Sequence, residues 1–352
     1  MNPYDTLPLA LGLILFSFFI TGSLVVPFID LLYKLKLTRR KEAPNIGKIP
    51  LFDKLHDKKA GTPVGGGILL VTIITVIFYC MFPFANHMGV HIKTAHQNIN
   101  AELFVIYFTF ISFGLLGLLD DLVKMFGKMR KGALGMWVGL GRKFKFGLQG
   151  IFALIIGYVL YSHLGIHNVY LPIIEEQISF GLLYIPFAAF VIVAFSNAFN
   201  ITDGLDGLSS GLLVICLSAF AAIAADSLDT PLSLFMALSI GSLVAFLYFN
   251  VWPARIMLGD TGALAFGAML GLIGLLTGSI VALVVIGGIF VMEAASSAIQ
   301  IVGWKVLKRP IFPLAPIHHA FLAKGWEEPK IVMRAWLAGL VLAIFGVWLA
   351  TI

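Results

Sequence analysis

The chain has 352 residues, 59% of them hydrophobic and 12% charged, with a formal net charge of +6. Soluble domains carry about 25% charged residues, so a water-soluble globular fold is excluded. The excess of Lys and Arg reads as membrane topology and needs no nucleic acid to explain it. The two cysteines, Cys80 and Cys216, lie in apolar runs with no CxxC and no Cys/His cluster, and are expected as small buried hydrophobes without a disulfide.

A bilayer-spanning helix needs roughly 20 apolar residues. Such runs recur at 8–32, 63–84, 102–119, 146–164, 181–202, 209–225, 231–252, 261–277, 279–303 and 332–351. They predict an all-α polytopic membrane protein, with about ten transmembrane helices in one integral-membrane domain over 1–352. The first run lacks a preceding basic stretch and is read as a span, not a cleaved leader. The eighth and ninth are separated only by Thr277-Gly278. Of the 24 Lys and Arg, all but Lys93 fall on the side that follows the first span. By the positive-inside rule that side is cytoplasmic, and both termini are outside. On the outer side, the stretch around Glu175-Glu176 carries a weak β-hairpin signal.

Five polar clusters follow one another along the chain, all on the basic side. His56-Asp57-Lys58-Lys59 leads into Gly65-Gly66-Gly67 at a helix start, where backbone N–H groups are able to approach an anion. The plainer alternative is a basic membrane anchor. Asp120-Asp121, followed one turn later by Lys124, ends an apolar run. Adjacent carboxylates there repel each other and sit badly against the helix dipole, so a cation is expected nearby. Asn197, Asn200 and Asp203 recur at a spacing of three and share a helix face, ahead of Asp206 in a glycine-rich turn. Asn250 precedes Gly259-Asp260-Thr261-Gly262, in which Asp260 also reads as a simple helix N-cap. His318-His319 are followed by Lys324-Gly325-Trp326 and Glu328-Pro329-Lys330. Adjacent histidines do not have metal-site spacing. Glu293, inside the ninth run, is a buried carboxylate that needs a partner, and Gln300 lies two turns on along the same face.

These residues, in order from about Lys34 to Trp336, resemble the polyprenyl-phosphate N-acetylhexosamine-1-phosphate transferases. Asp120-Asp121, the Asn-x-x-Asn-x-x-Asp-Gly-x-Asp-Gly run and Gly-Asp-Thr-Gly mark the superfamily. His56–Pro63 and the segment 316–330 point to its muramoyl branch. Two positions depart from the pattern: Ala320 stands where a third histidine is usual, and Met257 where a phenylalanine stacks on uracil.

The resemblance implies transfer of phospho-N-acetylmuramoyl-pentapeptide from UDP-MurNAc-pentapeptide to undecaprenyl phosphate, giving lipid I and UMP. It implies Mg²⁺ as cofactor, a bacterial inner membrane with a cytoplasmic site, membrane lipid as a partner, and a possible homodimer. It makes Asp260 a Mg²⁺ ligand, with Asp203 a further possibility. Asp120 becomes the base toward the lipid phosphate or a group that positions it, supported by Asp121, with His318 and His319 also catalytic. Lys59, Lys124 and Lys145 would neutralise phosphates. Asn197, Asn200, Asp203, Asp206, Asn250 and Met257 would line the substrate site. A direct and a covalent route both remain open. The sister transferases that use UDP-N-acetylglucosamine are the nearest alternative. A transporter would instead show inverted repeats and ionisable groups near the midplane; here the clusters hug one side, and no repeat is visible.

Overall fold

A computed structural model describes residues 7–39, 59–84, 94–96, 98–127, 130–132, 135–137, 139–172, 174–227 and 229–352. His56, Asp57, Lys58 and Lys93 lie outside the described residues. In chain order the helices are α1 (Leu7–Lys34), α2 (Gly66–Met81), α3 (Ile99–Phe126), α4 (Arg142–Ser162), α5 (Tyr184–Thr202), α6 (Leu208–Ser227), α7 (Thr230–Asn250), α8 (Gly259–Leu276), α9 (Ile280–Ile286), α10 (Gly288–Val306), α11 (Ile317–Ala323) and α12 (Glu328–Thr351). Among the described residues, ten helices are long and apolar enough to cross a membrane. They match the ten sequence runs with two changes.

The first change is that α3 does not stop at residue 119 but continues to Phe126. Asp120-Asp121 therefore lie within a helix, and Lys124 falls one turn further along it. The second is that the ninth run is not one helix. Gly287 ends α9 and begins α10 with φ −82° and ψ 14°. A Cβ at Gly287 would stand 2.7 Å from Cε1 of Phe195, and adjacent glycines are where helices kink. The short α9 packs against α12.

The hairpin read around Glu175-Glu176 is present as β3 (Asn168–Leu171) and β4 (Glu176–Ser179), paired antiparallel with Val169 opposite Ile178. A second small hairpin, β1 (Arg130–Gly132) with β2 (Gly135–Trp137), links α3 to α4.

α8 is the axis of the molecule. Every residue from Asp260 to Leu276 is buried, with α2, α3 and α5 packed around it. Around that axis α1 packs on α7, α4 on α5, and α12 on α6. The outward faces of α1 (Leu11, Leu15, Phe19) and α12 (Leu337, Val341, Ile344) leave large apolar side chains exposed. On a helix that is otherwise packed, such a stripe is the face presented to lipid. Cys216 is buried and Cys80 exposed, both as free thiols, so the expectation of burial fails for Cys80, which sits on an outward face of α2.

Glycines bring the helices to backbone contact. A Cβ at Gly67 would lie 2.1 Å from the amide nitrogen of Gly262, and one at Gly66 2.3 Å from the ring of Phe246. The N–H groups of Gly65 and Gly66 donate to the Met257 carbonyl, and that of Gly67 to Leu258. The triple glycine is therefore a packing surface. Its amides are satisfied within the protein, which removes the expected anion site at this helix start.

Candidate active site

Gly117 decides where the carboxylates of α3 sit. A Cβ there would stand 2.2 Å from the backbone oxygen of Asp260, so α3 and the start of α8 touch backbone to backbone. One turn further on, Asp121 reaches the N-terminus of α8. Its Oδ1 accepts the Asp260 N–H at 2.9 Å, and its Oδ2 accepts the Thr261 N–H at 2.9 Å and the Thr261 hydroxyl at 2.7 Å. A helix N-terminus leaves N–H groups unsatisfied and favours negative charge. Asp121 meets both needs from a neighbouring helix. Asp121 thus fixes the backbone of Asp260, and Asp260 is not its own helix cap.

The carboxylate of Asp260 is consequently available to side chains. Lys145 Nζ, from the first turn of α4, lies 2.6 Å from Asp260 Oδ2 and 2.8 Å from Asp120 Oδ2. Lys124 Nζ lies 2.8 Å from Asp260 Oδ1 and 3.4 Å from Asp120 Oδ2. Asp120 Oδ1 also accepts the Leu140 N–H at 2.7 Å. Two carboxylates and two ammonium groups from three helices therefore form one alternating square. Burial of two anions this close is tolerable only with such pairing.

A second cluster lies along the same end of the bundle. Lys59 Nζ donates to Asp206 Oδ1 at 2.6 Å, to Glu328 Oε1 at 2.5 Å and to the Gly204 carbonyl at 3.3 Å. Asp206 Oδ2 accepts the Ala254 N–H at 2.9 Å. These groups form one wall of a cleft of about 630 Å³, which Trp252, His319 and Trp326 also line. Lys59 is expected from sequence beside the phosphates, but here all three of its N–H groups are taken. Asp203 stands in electrostatic reach of both clusters: burial pushes its carboxyl up to about 6, the Ser209 hydroxyl that donates to it opposes this, and Asp260 and Lys59 act on it from either side.

The remaining candidates divide. His318 is buried, and its Nδ1 lies 3.0 Å from Glu293 Oε2, while its Nε2 faces Gly204 so closely that a Cβ there would be 2.5 Å away. This pair is not legible in sequence beyond the rule that Glu293 needs a partner. The expected alternative, Gln300, instead holds the backbone of Ile311 and Phe312. His319 lies beside His318, with ring centroids 4.2 Å apart and the planes tilted by 56°.

Two expected substrate residues are committed inside the protein. Asn197 donates to Gln149 and to the Val193 carbonyl, both at 2.8 Å. Asn250 accepts from Ser210 and donates to the Ile256 carbonyl, both at 3.0 Å, and so shapes the 250–258 turn. Asn200 is half-buried on α5. Met257 is half-buried, with Arg39 Nη1 4.0 Å from its sulfur and its backbone bridged to Val64. Glu328, absent from the sequence-derived site, completes the second cluster. Its only sequence signal is its place in the Trp-x-Glu-Pro-Lys segment.

The sequence profile of the family described as Glycosyl transferase family 4 matches residues 103–278. The chain is 34% identical to the phospho-N-acetylmuramoyl-pentapeptide-transferase of Bacillus licheniformis and 33% identical to that of Bacillus pumilus, with 96% of each chain covered in both cases. It is 35% identical to that of Borreliella burgdorferi, over 93% of this chain and 91% of the relative. The chain belongs to glycosyl transferase family 4, in the branch formed by the phospho-N-acetylmuramoyl-pentapeptide-transferases. It is a multi-pass membrane transferase.

Proposed function

We propose that the chain transfers phospho-N-acetylmuramoyl-pentapeptide from UDP-MurNAc-pentapeptide to undecaprenyl phosphate at the cytoplasmic surface of a bacterial inner membrane. In the transfer, an oxygen of the lipid phosphate bonds to the sugar-bearing phosphorus, and the bond from that phosphorus to the UMP oxygen breaks. The products are lipid I and UMP. The observation that carries this reading is the Asp120–Lys145–Asp260–Lys124 square at one end of an apolar bundle. Both reactants are phosphate anions, so catalysis consists mainly of charge compensation and alignment.

Among the described residues, no three His, Cys, Asp or Glu side chains converge as a metal cage. Mg²⁺ does not require one, because it usually takes one or two carboxylates together with substrate phosphates and water. Asp120 and Asp260 share the same two ammonium groups, and a pair of carboxylates is a donor set that fits Mg²⁺. These two residues would hold Mg²⁺, with Asp203 nearby. When bound, the ion supplies charge stabilisation to the diphosphate.

The chain's own groups do the rest. Lys124 and Lys145 turn from the carboxylates to phosphate oxygens as substrates enter. Asp120 orients the acceptor phosphate and takes its proton if it arrives singly charged. His318, oriented by Glu293, supports the Gly204 turn that walls the cleft.

The test is direct. Purified protein with polyprenyl phosphate and Mg²⁺ is given UDP-MurNAc-pentapeptide or UDP-N-acetylglucosamine, and UMP release is measured. Release with the muramoyl donor alone is expected. Release with the other donor alone would move the chain to the sister transferases.

A further inference from the structure

Glu328 opens α12, where an acidic residue ordinarily needs no explanation beyond the helix dipole. Its contacts go further. One oxygen, Oε1, accepts from Lys59 Nζ at 2.5 Å and from the backbone N–H of Asp206 at 2.6 Å. Lys59 in turn holds Asp206 Oδ1 and the Gly204 carbonyl, so its ammonium has no donor left. Lys59, Asp206 and Glu328 together carry one net negative charge. Such a cluster does not attract phosphate. It fixes the relative position of three cleft walls: the segment entering at Lys59, the 204–206 turn, and the start of α12. Asp206 and Glu328 both line the cleft of about 630 Å³, and carboxylates are acceptors, which suit the N–H and O–H groups of a nucleoside.

We propose that Glu328 is a positioning residue for the nucleoside end of the donor, acting through Lys59 and Asp206 and taking no part in the phosphoryl step. This rests on the proposed reaction, and takes the cleft beside the square as the seat of its UDP-linked donor. A group that holds ground and transition states equally acts on KM and not on kcat.

Glu328→Ala, Lys59→Ala and the double variant are compared in full-length purified protein. The readouts are steady-state kinetics, calorimetric binding of UMP and UDP-MurNAc-pentapeptide, and thermal midpoint. Glu328→Ala is expected to raise the donor KM and weaken UMP binding by on the order of 10-fold, the scale of one well-placed charged hydrogen bond. The polyprenyl-phosphate KM should stay fixed and kcat should change by less than about 3-fold. Glu328→Gln keeps an acceptor oxygen and should recover most of the affinity. The double variant should be no weaker than the poorer single one, because both residues act in one unit. Additive losses, or a loss confined to kcat or to the lipid KM, would overturn the assignment.

If Glu328→Ala does not fold, UMP binding to Lys59→Ala decides, with Glu328→Gln expected to keep most of the wild-type affinity. Unchanged affinity in Lys59→Ala would sink the proposal. UMP binding needs no turnover, so it tests Glu328 even where the wild type releases no UMP from either donor. In that event the proposed reaction fails by itself.

Discussion

Asp260 is the residue on which the two main devices of the site converge: Asp121 fixes its backbone, and Lys124 and Lys145 hold its carboxylate. Asp260→Asn keeps the shape and the amide held by Asp121 but removes the charge. It is expected to lower kcat by at least ~10²-fold, the scale of losing one preorganised electrostatic group, with a normal yield of folded protein. Near-normal turnover at saturating Mg²⁺ would place the charge-compensating work elsewhere. Asp203 offers a pH test. Its carboxyl is pushed up to about 6 chiefly by burial, whereas in an unfolded chain an Asp titrates at about 3.9. As pH rises between those values, the unfolded state releases its proton first, so folding loses stability across that window. The thermal midpoint of the wild type should therefore fall relative to Asp203→Asn between pH 4 and pH 7. A constant difference between the two would show that Asp203 ionises as an ordinary surface carboxylate.

Among the helices, the contact of α3 with α8 decides whether a site exists at all. Gly117→Ala puts a methyl group 2.2 Å from the Asp260 carbonyl oxygen. Overpacking of this kind costs about 1–3 kcal/mol. Because the neighbour is backbone, the two helices must separate, and Asp121 loses its reach to the Asp260 and Thr261 amides. A lowered thermal midpoint together with a drop in transfer is expected. Gly150→Ala on α4 is the control: its Cβ meets nothing within 4 Å, and Ala is the better helix former by about 1 kcal/mol. If Gly117→Ala behaves like Gly150→Ala, the close approach of α3 and α8 does not set the geometry of the site.

For the molecule as a whole, the arrangement matches its two reactants. The apolar outward faces hold the bundle in lipid, where a polyprenyl tail also resides, and the polar ends of α3, α4, α8 and α12 gather at one surface. From the division of Lys and Arg we propose that this surface is the cytoplasmic one. Single cysteines test this in a background with Cys80 and Cys216 replaced. A cysteine at Asn168, in the β3–β4 hairpin, should react with an impermeant thiol reagent applied to intact cells. One at Lys131, between α3 and α4, should react only after the membrane is opened. Labelling of position 131 from outside would invert the topology and put the site on the wrong side for a nucleotide substrate.

The sequence by itself determined the spans and their number. Hydropathy and the positive-inside bias are properties of local composition, and the bilayer reads them without reference to tertiary contacts. Asp120, Asp260 and Lys124 were legible because charges at the ends of apolar runs have few structural uses. Tertiary structure alone decided which of the polar residues meet one another and which are held by backbone groups. Asp121 and Asn250 look like site residues in one dimension, and packing turns them to backbone groups. Gly65–Gly67 reads as an anion loop, and the turn that precedes α8 takes its amides. Glu293 meets His318 across 25 positions, and Glu328 meets Lys59 across 269. The ring of Phe195, on another helix, fills the space that a side chain at Gly287 would need. Each of these is set by what a residue touches from a distant part of the chain, and neither propensity nor periodicity carries that information.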